Sequence, residues 1–270
     1  MAFTLGPRAM SAGYRLAAFN QIGSTNAEAM SRARDGERGP IWLVTSEQTA
    51  GRGRRHRPWI TSPGNLASSI LEVMDISPAV AATLGFAAGL ALETSLRKVS
   101  TEAAVRSAAS ADLNFLLKWP NDVMAGTHKL AGILLEAEAV GDNRLAVVVG
   151  IGTNVVVAPQ GTPMPATSLA ALGVNIGASE LFSELSDAWA VFRGIWDNGR
   201  GFGEIRRMWL DRAAGLGQPA AVHTGGSTVE GTFDGIDETG CMLIRTSGGN
   251  RVPISAGEVY FGSAASTGAA

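Results

Sequence analysis

The chain has 270 residues, 46% of them hydrophobic and 17% charged, with a formal net charge of −2. That is the make-up of a soluble globular protein with room for one large domain and a small companion, and it excludes wholesale nucleic-acid binding driven by overall charge. The single cysteine, Cys241, excludes an intramolecular disulfide and a cysteine-built metal centre, and reads as a small buried hydrophobe. With no apolar signal core at the start and no uninterrupted apolar run of bilayer length, the expected location is the cytoplasm and no membrane is expected as a partner.

Residues 1–13 are small and polar and are expected to fray. Residues 14–19 suit a first strand. Ser24-Thr25-Asn26 then has the composition of a helix cap, and the helix should end in the charged, glycine-containing run 34–39. A second strand, 41–47, feeds into Gly51-Arg52-Gly53-Arg54-Arg55-His56-Arg57-Pro58-Trp59. Here the two glycines are expected to grant positive φ and close approach to a ligand. Four arginines supply planar forks that match carboxylate and phosphate oxygens, and Trp59 offers a face for stacking. The pattern GxxxxGK[S/T] is absent, and His56 stands where GxGxxG needs its third glycine. The stretch reads as a loop that holds an anion; a nucleic-acid patch or a solvated surface competes with that reading.

Beyond a turn at 63–65 comes a strand at 66–74, and Ser77-Pro78 starts a long buried helix over 79–99, in which Gly85 and Gly89 would allow close packing. Residues 100–112 suit a helix tail or an inserted loop. Three apolar runs, 113–119, 129–140 and 145–149, are separated by Pro120-Asn121-Asp122, Gly126-Thr127-His128 and Gly141-Asp142-Asn143, which suggests an antiparallel sheet. Residues 159–165 form a loop. Helices are expected over 179–194 and 202–214, with Trp189, Trp196 and Trp209 as core anchors. From Gly217, five short runs (220–222, 228–233, 241–246, 251–254 and 259–261) alternate with glycine turns at the spacing of a small all-β barrel. The expected division is 1–215, 216–262 and a disordered tail, 263–270.

Five stretches occur in a telling order: Ser24-Thr25-Asn26; Gln48-Thr49-Ala50-Gly51-Arg52-Gly53-Arg54-Arg55; Lys118-Trp119-Pro120-Asn121-Asp122; Lys129-Leu130-Ala131-Gly132-Ile133-Leu134; and Gly150-Ile151-Gly152-Thr153-Asn154. Together with the terminal barrel, over about residues 14–262, the chain resembles the biotin–protein ligases. The resemblance implies an α+β fold: a mixed sheet with helices, like that of class II aminoacyl-tRNA synthetases, followed by a small SH3-like β-barrel. It also implies the substrates ATP and biotin, with Mg²⁺ as the activating ion. Biotin's carboxylate attacks the α-phosphate to give biotinyl-5′-AMP, and a lysine of a biotin carboxyl carrier domain then takes the biotinyl group.

The resemblance also assigns roles. Ser24, Thr25 and Gln48 would hydrogen-bond the ureido group of biotin. Gly51, Gly53, Gly132 and Ile133 would line its pocket, and Arg52 would meet its carboxylate end. Trp59 and Asn154 would hold adenine, Arg54, Arg57 and Asn121 the nucleotide, and Lys129 the acyl-phosphate oxygens. Asp122 would stand near a metal or the incoming amine. The chemistry agrees: joining a carboxylate to a phosphate brings two anions together, and Arg52, Arg54 and Lys129 suit the clamp that offsets their repulsion. No covalent enzyme intermediate is needed, in keeping with three histidines and no Ser-His-Asp or Cys-His set.

Three features depart from the family pattern: His56 in place of a glycine, expected to stiffen the loop, Thr153 in place of an apolar residue, and the length of 100–112. Only 23 residues precede Ser24, too few for the DNA-binding module of the family's repressors, so no DNA partner is expected; the assembly would be a monomer or homodimer. A lipoate–protein ligase is the nearest rival, and a nucleic-acid-binding regulator the rival from another class.

Overall fold

The computed structural model describes residues 2–107, 113–141 and 143–261. The tail 263–270, residues 108–112 of the long stretch 100–112, and the His56 side chain, with its expected stiffening of the loop, lie outside the described residues.

A seven-stranded sheet forms the body. Its strands are β1 (Arg15–Phe19), β2 (Ile41–Thr45), β3 (Leu66–Met74), β4 (Phe115–Lys118), β5 (Asp122–Ala125), β6 (His128–Val140) and β7 (Arg144–Thr153), in the order β1-β2-β3-β7-β6-β5-β4. β1 runs parallel to β2, joined through helix α2 (Thr25–Arg34), and every other pair is antiparallel. The expected mixed sheet is therefore present, with one strand more than the apolar runs suggested. β5 was hidden because its four residues follow directly on the proline turn.

Alternation along the strands divides the core. Trp42 and Val44 of β2, with Val147, Val149 and Ile151 of β7, face the larger apolar cluster. Ile41, Leu43, Ala146 and Val148 face the smaller one, where Ala29, Met30 and Ala33 of α2 cover them. Both sides of β2 are covered, so all five of its residues are buried. On the larger side lie α3 (Pro78–Ala82), α4 (Leu84–Ser107), α5 (Ala178–Trp196) and α6 (Phe202–Leu210). The anchoring role of the tryptophans holds, since Trp189, Trp196 and Trp209 are all buried.

Several expectations change. Residues 78–107 are long and apolar enough by composition to cross a membrane, against the sequence reading, but most of the stretch is buried in the fold. The expected single helix is two, α3 and α4, and α4 continues to Ser107, so the first part of 100–112 is helix. Gly89 lies against Trp209 and Leu117, whereas a side chain at Gly85 would meet nothing, so only Gly89 serves packing. Helix α6 stops at Leu210, because residues 212–214 bond to Leu117 at the edge of β4. Residues 7–11, expected to fray, form helix α1 (Pro7–Ser11), whose start is pinned to α5: Gly6 N–H donates to Ser186 Oγ at 2.8 Å and Arg8 N–H to Asp187 Oδ1 at 2.8 Å. Cys241 is only half-buried.

A second sheet holds β8 (Pro219–Thr224), β9 (Ser227–Ile236), β10 (Met242–Arg245), β11 (Arg251–Ile254) and β12 (Glu258–Phe261), all antiparallel in the order β11-β10-β9-β8-β12. These are the five runs expected of the small terminal β-domain. Val222, Phe233, Met242 and Val259 join the larger core cluster, so this sheet shares a core with the first unit, β9 packing against α6.

Candidate active site

On the α2 side of the large sheet, beyond the helix, the strands carry glycine where a packed face would carry leucine. A Cβ on Gly152 would collide with the Trp59 indole, and one on Gly150 with the Asn26 amide; at Gly132 it would crowd both Trp59 and Lys129. The missing side chains leave a cavity of about 650 Å³.

A β-bulge sets Lys129 over this floor. The register runs from Val123↔Ala131 to Met124↔Lys129 and skips Leu130, so Leu130 turns into the core while Lys129 and Gly132 share the cavity side. The loop 159–167 lies alongside, tied by Lys129 N–H to Pro165 O at 2.8 Å and Thr167 N–H to Lys129 O at 2.9 Å.

The arginine stretch closes the cavity as a small hairpin. Trp59 N–H donates to Gly51 O at 2.9 Å and Gly53 N–H to Arg57 O at 2.7 Å. Neither glycine takes the positive φ expected of it; the left-handed residue is Arg55, at φ 54°. Gly51 is required for another reason, because a Cβ there would strike the Trp59 carbonyl.

Of the residues singled out in the sequence, Ser24, Thr25, Gln48, Arg52, Gly53, Arg54, Arg57, Trp59, Asn121, Asp122, Lys129, Gly132, Ile133 and Asn154 all line this one cavity. Gly51 lies behind the lining. Arg52 and Lys129 thus share a cavity, as a charge clamp requires.

One end of the cavity is a hydrogen-bond chain. Gln48 Oε1 accepts from Thr25 N–H at 2.8 Å and from the Thr25 hydroxyl at 3.1 Å, and its amide nitrogen donates to Thr61 Oγ1 at 3.1 Å. Ser69 Oγ lies 2.7 Å from Thr25 Oγ1 and 2.6 Å from Asn26 Oδ1; Asn26 in turn donates to Glu136 at 2.8 Å, and Glu136 pairs with Arg52 at 3.2 Å. Thr25 is thus fully engaged, whereas among the described residues Ser24 accepts only one long bond, from Ala27 N–H at 3.4 Å, and keeps its own proton to donate.

The other end is cationic. Arg52, Arg54, Arg55, Arg57, Lys118 and Lys129 line the cavity against two carboxylates, Asp122 and Glu258. Arg54 reaches Asn121 Oδ1 at 3.1 Å, and Asn121 is fixed by its amide to Ile133 O at 2.9 Å. Arg57 pairs with Glu258 of β12, and Arg55 lies 3.6 Å from the same carboxylate. Lys129 stands 2.5 Å from Asp122 Oδ1 and over the Trp59 ring at 5.5 Å. That contact is an ion pair by distance but lacks hydrogen-bond alignment, since Asp122 Oδ1 has no hydrogen-bond partner. Burial pushes the pKa of Arg54 down, and burial does the same to Lys118, opposed by Asp122 and reinforced by Lys129.

A second buried acceptor faces no donor. Asn154 is 1% exposed; its amide nitrogen donates to Thr167 O at 3.0 Å, while its Oδ1 has no partner among the described residues. An acceptor held in this way suits the exocyclic amine of a purine. Among the described residues no group of three His, Cys, Asp or Glu side chains could hold a metal ion, and the carboxylates this cavity would offer Mg²⁺ are those of Asp122 and Glu258.

Sequence reasoning missed Lys118, Ser69, Glu136 and Glu258. Lys118 stands inside a quoted motif, and the signal for Ser69 is the polar pair Ser68-Ser69 in an otherwise apolar strand. The two glutamates carried no local signal.

Residues 20–154 match the model of the biotin/lipoate A/B protein ligase family, and residues 215–262 that of the biotin protein ligase C-terminal domain. The biotin–[acetyl-CoA-carboxylase] ligase of Paracoccus denitrificans is 38% identical over 245 residues, 88% of this chain and 97% of that protein. The chain belongs to the biotin protein ligases. A second member, the biotin–[acetyl-CoA-carboxylase] ligase of Mycobacterium tuberculosis, is 36% identical over 88% of this chain and 86% of its own length. The fold of this ligase also matches the biotin protein ligase from Aquifex aeolicus in complex with biotin and ATP, with a TM-score of 0.73 over 92% of this chain and 99% of that one, at 24% identity.

Proposed function

We propose that this chain is a biotin–[acetyl-CoA-carboxylase] ligase and that the cavity over the β6–β7 glycines is its adenylation centre. The supporting observation is the surplus of cations, six against the carboxylates of Asp122, Glu136 and Glu258, around a glycine-floored cavity that also holds a buried acceptor at Asn154 with no partner among the described residues.

In the first half-reaction a carboxylate oxygen of biotin attacks the α-phosphorus of ATP, and the bond to the β-phosphate breaks. Biotinyl-5′-AMP forms and pyrophosphate leaves. Lys129 and Arg52 hold the carboxylate and α-phosphate together, an electrostatic task that needs no proton transfer. Ser24 and Gln48 bind the ureido end of biotin, and Thr25 orients Gln48. Asn121 fixes Arg54 on the nucleotide, Arg57 adds a further phosphate contact, Asn154 accepts from adenine and Trp59 stacks near it. Asp122 would be the residue of this chain to hold Mg²⁺ brought with the nucleotide, and the ion would supply charge neutralisation at the phosphates.

In the second half-reaction the ε-amine of a carrier-domain lysine attacks the acyl carbon and AMP departs. Asp122, the carboxylate beside Lys129, receives the amine's proton. The catalytic unit ends near residue 215, and the small β-domain follows it.

The test is to incubate the chain with ATP, Mg²⁺ and either biotin or lipoate plus a carboxyl carrier domain, and to weigh the acceptor. A biotinyl mass increment on one lysine is expected. A lipoyl increment, or none while an authentic ligase modifies the same acceptor, contradicts the reading.

A further inference from the structure

The pairing registers place a row of residues straight across the large sheet: Ala67 opposite Gly152, Gly152 opposite Gly132, Gly132 opposite Asp122, and Asp122 opposite Lys118. Strands lie about 4.8 Å apart, so Lys118 on the outermost strand stands two strands, roughly 10 Å, beyond Gly132. Lys129 reaches into the gap between them, at Asp122. A ligand laid along this row from the Ser24–Gln48 end crosses the glycines, then Lys129, then Lys118.

Lys118 differs from the other cations of the cavity. It is 9% exposed, yet no carboxylate lies within ion-pair distance of it among the described residues. Arg52, Arg55, Arg57 and Lys129 each face a carboxylate, and Arg54 an amide oxygen. The contacts of the Lys118 ammonium are the Met164 sulfur at 3.9 Å and the rings of Tyr260 and Phe261, each with its centroid 6.0 Å away, and Asp122 and Glu258 act on it only from beyond ion-pair distance. Both rings belong to β12, so the second sheet walls off this end of the cavity. A desolvated ammonium with no directly paired counter-ion is costly to a fold and is kept where it meets an anion.

We propose that Lys118 binds the β- and γ-phosphates of the nucleotide and the pyrophosphate that leaves, in a compartment closed by β12. This rests on the adenylation reading and adds a residue that touches substrate. The spacing supports it: with the α-phosphate at Lys129, the terminal phosphates extend along the row toward Lys118. A lysine suits the task, as a compact point charge that can serve oxygens of either phosphate.

The test compares wild type with Lys118→Met, Lys118→Gln and Lys118→Arg. Losing one charge-assisted contact should raise the KM for ATP and the inhibition constant of pyrophosphate about tenfold or more in the methionine and glutamine variants, with the KM for biotin within about twofold. Lys118→Arg should recover most of the loss. Thermal stability separates this role from packing alone: removing an uncompensated charge should hold or raise the Tm of Lys118→Met, whereas a merely structural lysine would lower it. Unchanged ATP and pyrophosphate constants in both neutral variants, or a KM for biotin that rises in step with that for ATP, would overturn the proposal. If the wild-type chain makes no biotinyl-5′-AMP, the adenylation reading itself fails. Titration of pyrophosphate into wild type and Lys118→Gln still decides Lys118, with equal affinities counting against it.

Discussion

The two sides of the large sheet are built from the same strands and do opposite work. On the side facing α4 and α5, β7 presents Val147, Val149 and Ile151 to Trp42, Phe182 and Trp189, with Trp42 edge-on to Phe182 at 5.3 Å. On the other side the same strand presents Gly150 and Gly152, and the space they leave is the cavity. The first side is core throughout, whereas the second is divided between the small cluster under α2 and the cavity. The alternation of β7 between apolar residues and glycine allows one strand to serve both.

That division can be broken by experiment. The largest effect is expected on the packed side. Phe182→Ala removes a fully buried ring and should cost about 3–5 kcal/mol of unfolding free energy in denaturant titration, while the folded fraction keeps its KM for biotin and ATP. Lys129→Ala should do the reverse, lowering biotin-dependent ATP–pyrophosphate exchange about 100- to 1,000-fold with little change in Tm. A Phe182→Ala enzyme with altered KM, or a Lys129→Ala protein that unfolds, would show that the sides are not independent. Gly152→Val sharpens the contrast on the cavity side alone. Its side chain must displace the Trp59 indole, and calorimetry should find biotin binding weakened about tenfold with the fold retained.

The smallest effect lies outside both regions. Glu37, held first by Arg15 and also by the Arg38 and Gly39 N–H groups, has its pKa pulled down from 4.5 to about 2. A depressed carboxylate contributes stability above its unfolded pKa and loses it as pH falls through the folded one. Glu37→Gln should therefore flatten the decline of Tm between about pH 4.5 and pH 2 and leave Tm at pH 7 slightly lower. An unchanged acid limb would remove Glu37 from the account.

Much of the site was legible in the sequence because its chemistry is carried by rare, locally clustered residues. The arginine loop, the Lys-Leu-Ala-Gly-Ile-Leu run and Asn154 declare themselves, and they meet in one cavity. What was not legible depends on register and on distant partners. Nothing local indicates that β6 bulges at Leu130, that Lys118 lies in line with Gly132, or that Glu258, some 200 residues away, faces Arg57. The glycines of the loop were read for freedom of φ; Gly51 instead serves close approach to Trp59, and the positive φ falls on Arg55. Helix α1 was read as frayed, because five residues of weak periodicity give no hint that Ser186 and Asp187 hold them.

The most direct test of the central claim is a crystal structure of this chain with biotin and a non-hydrolysable ATP analogue. Both ligands should lie in the glycine-floored cavity, with the biotin carboxylate and α-phosphate oxygens within hydrogen-bonding reach of Lys129 and adenine at Asn154. Ligands bound instead in the separate recess beside Tyr14, Glu72 and Arg193, with the glycine-floored cavity left to solvent, would contradict it.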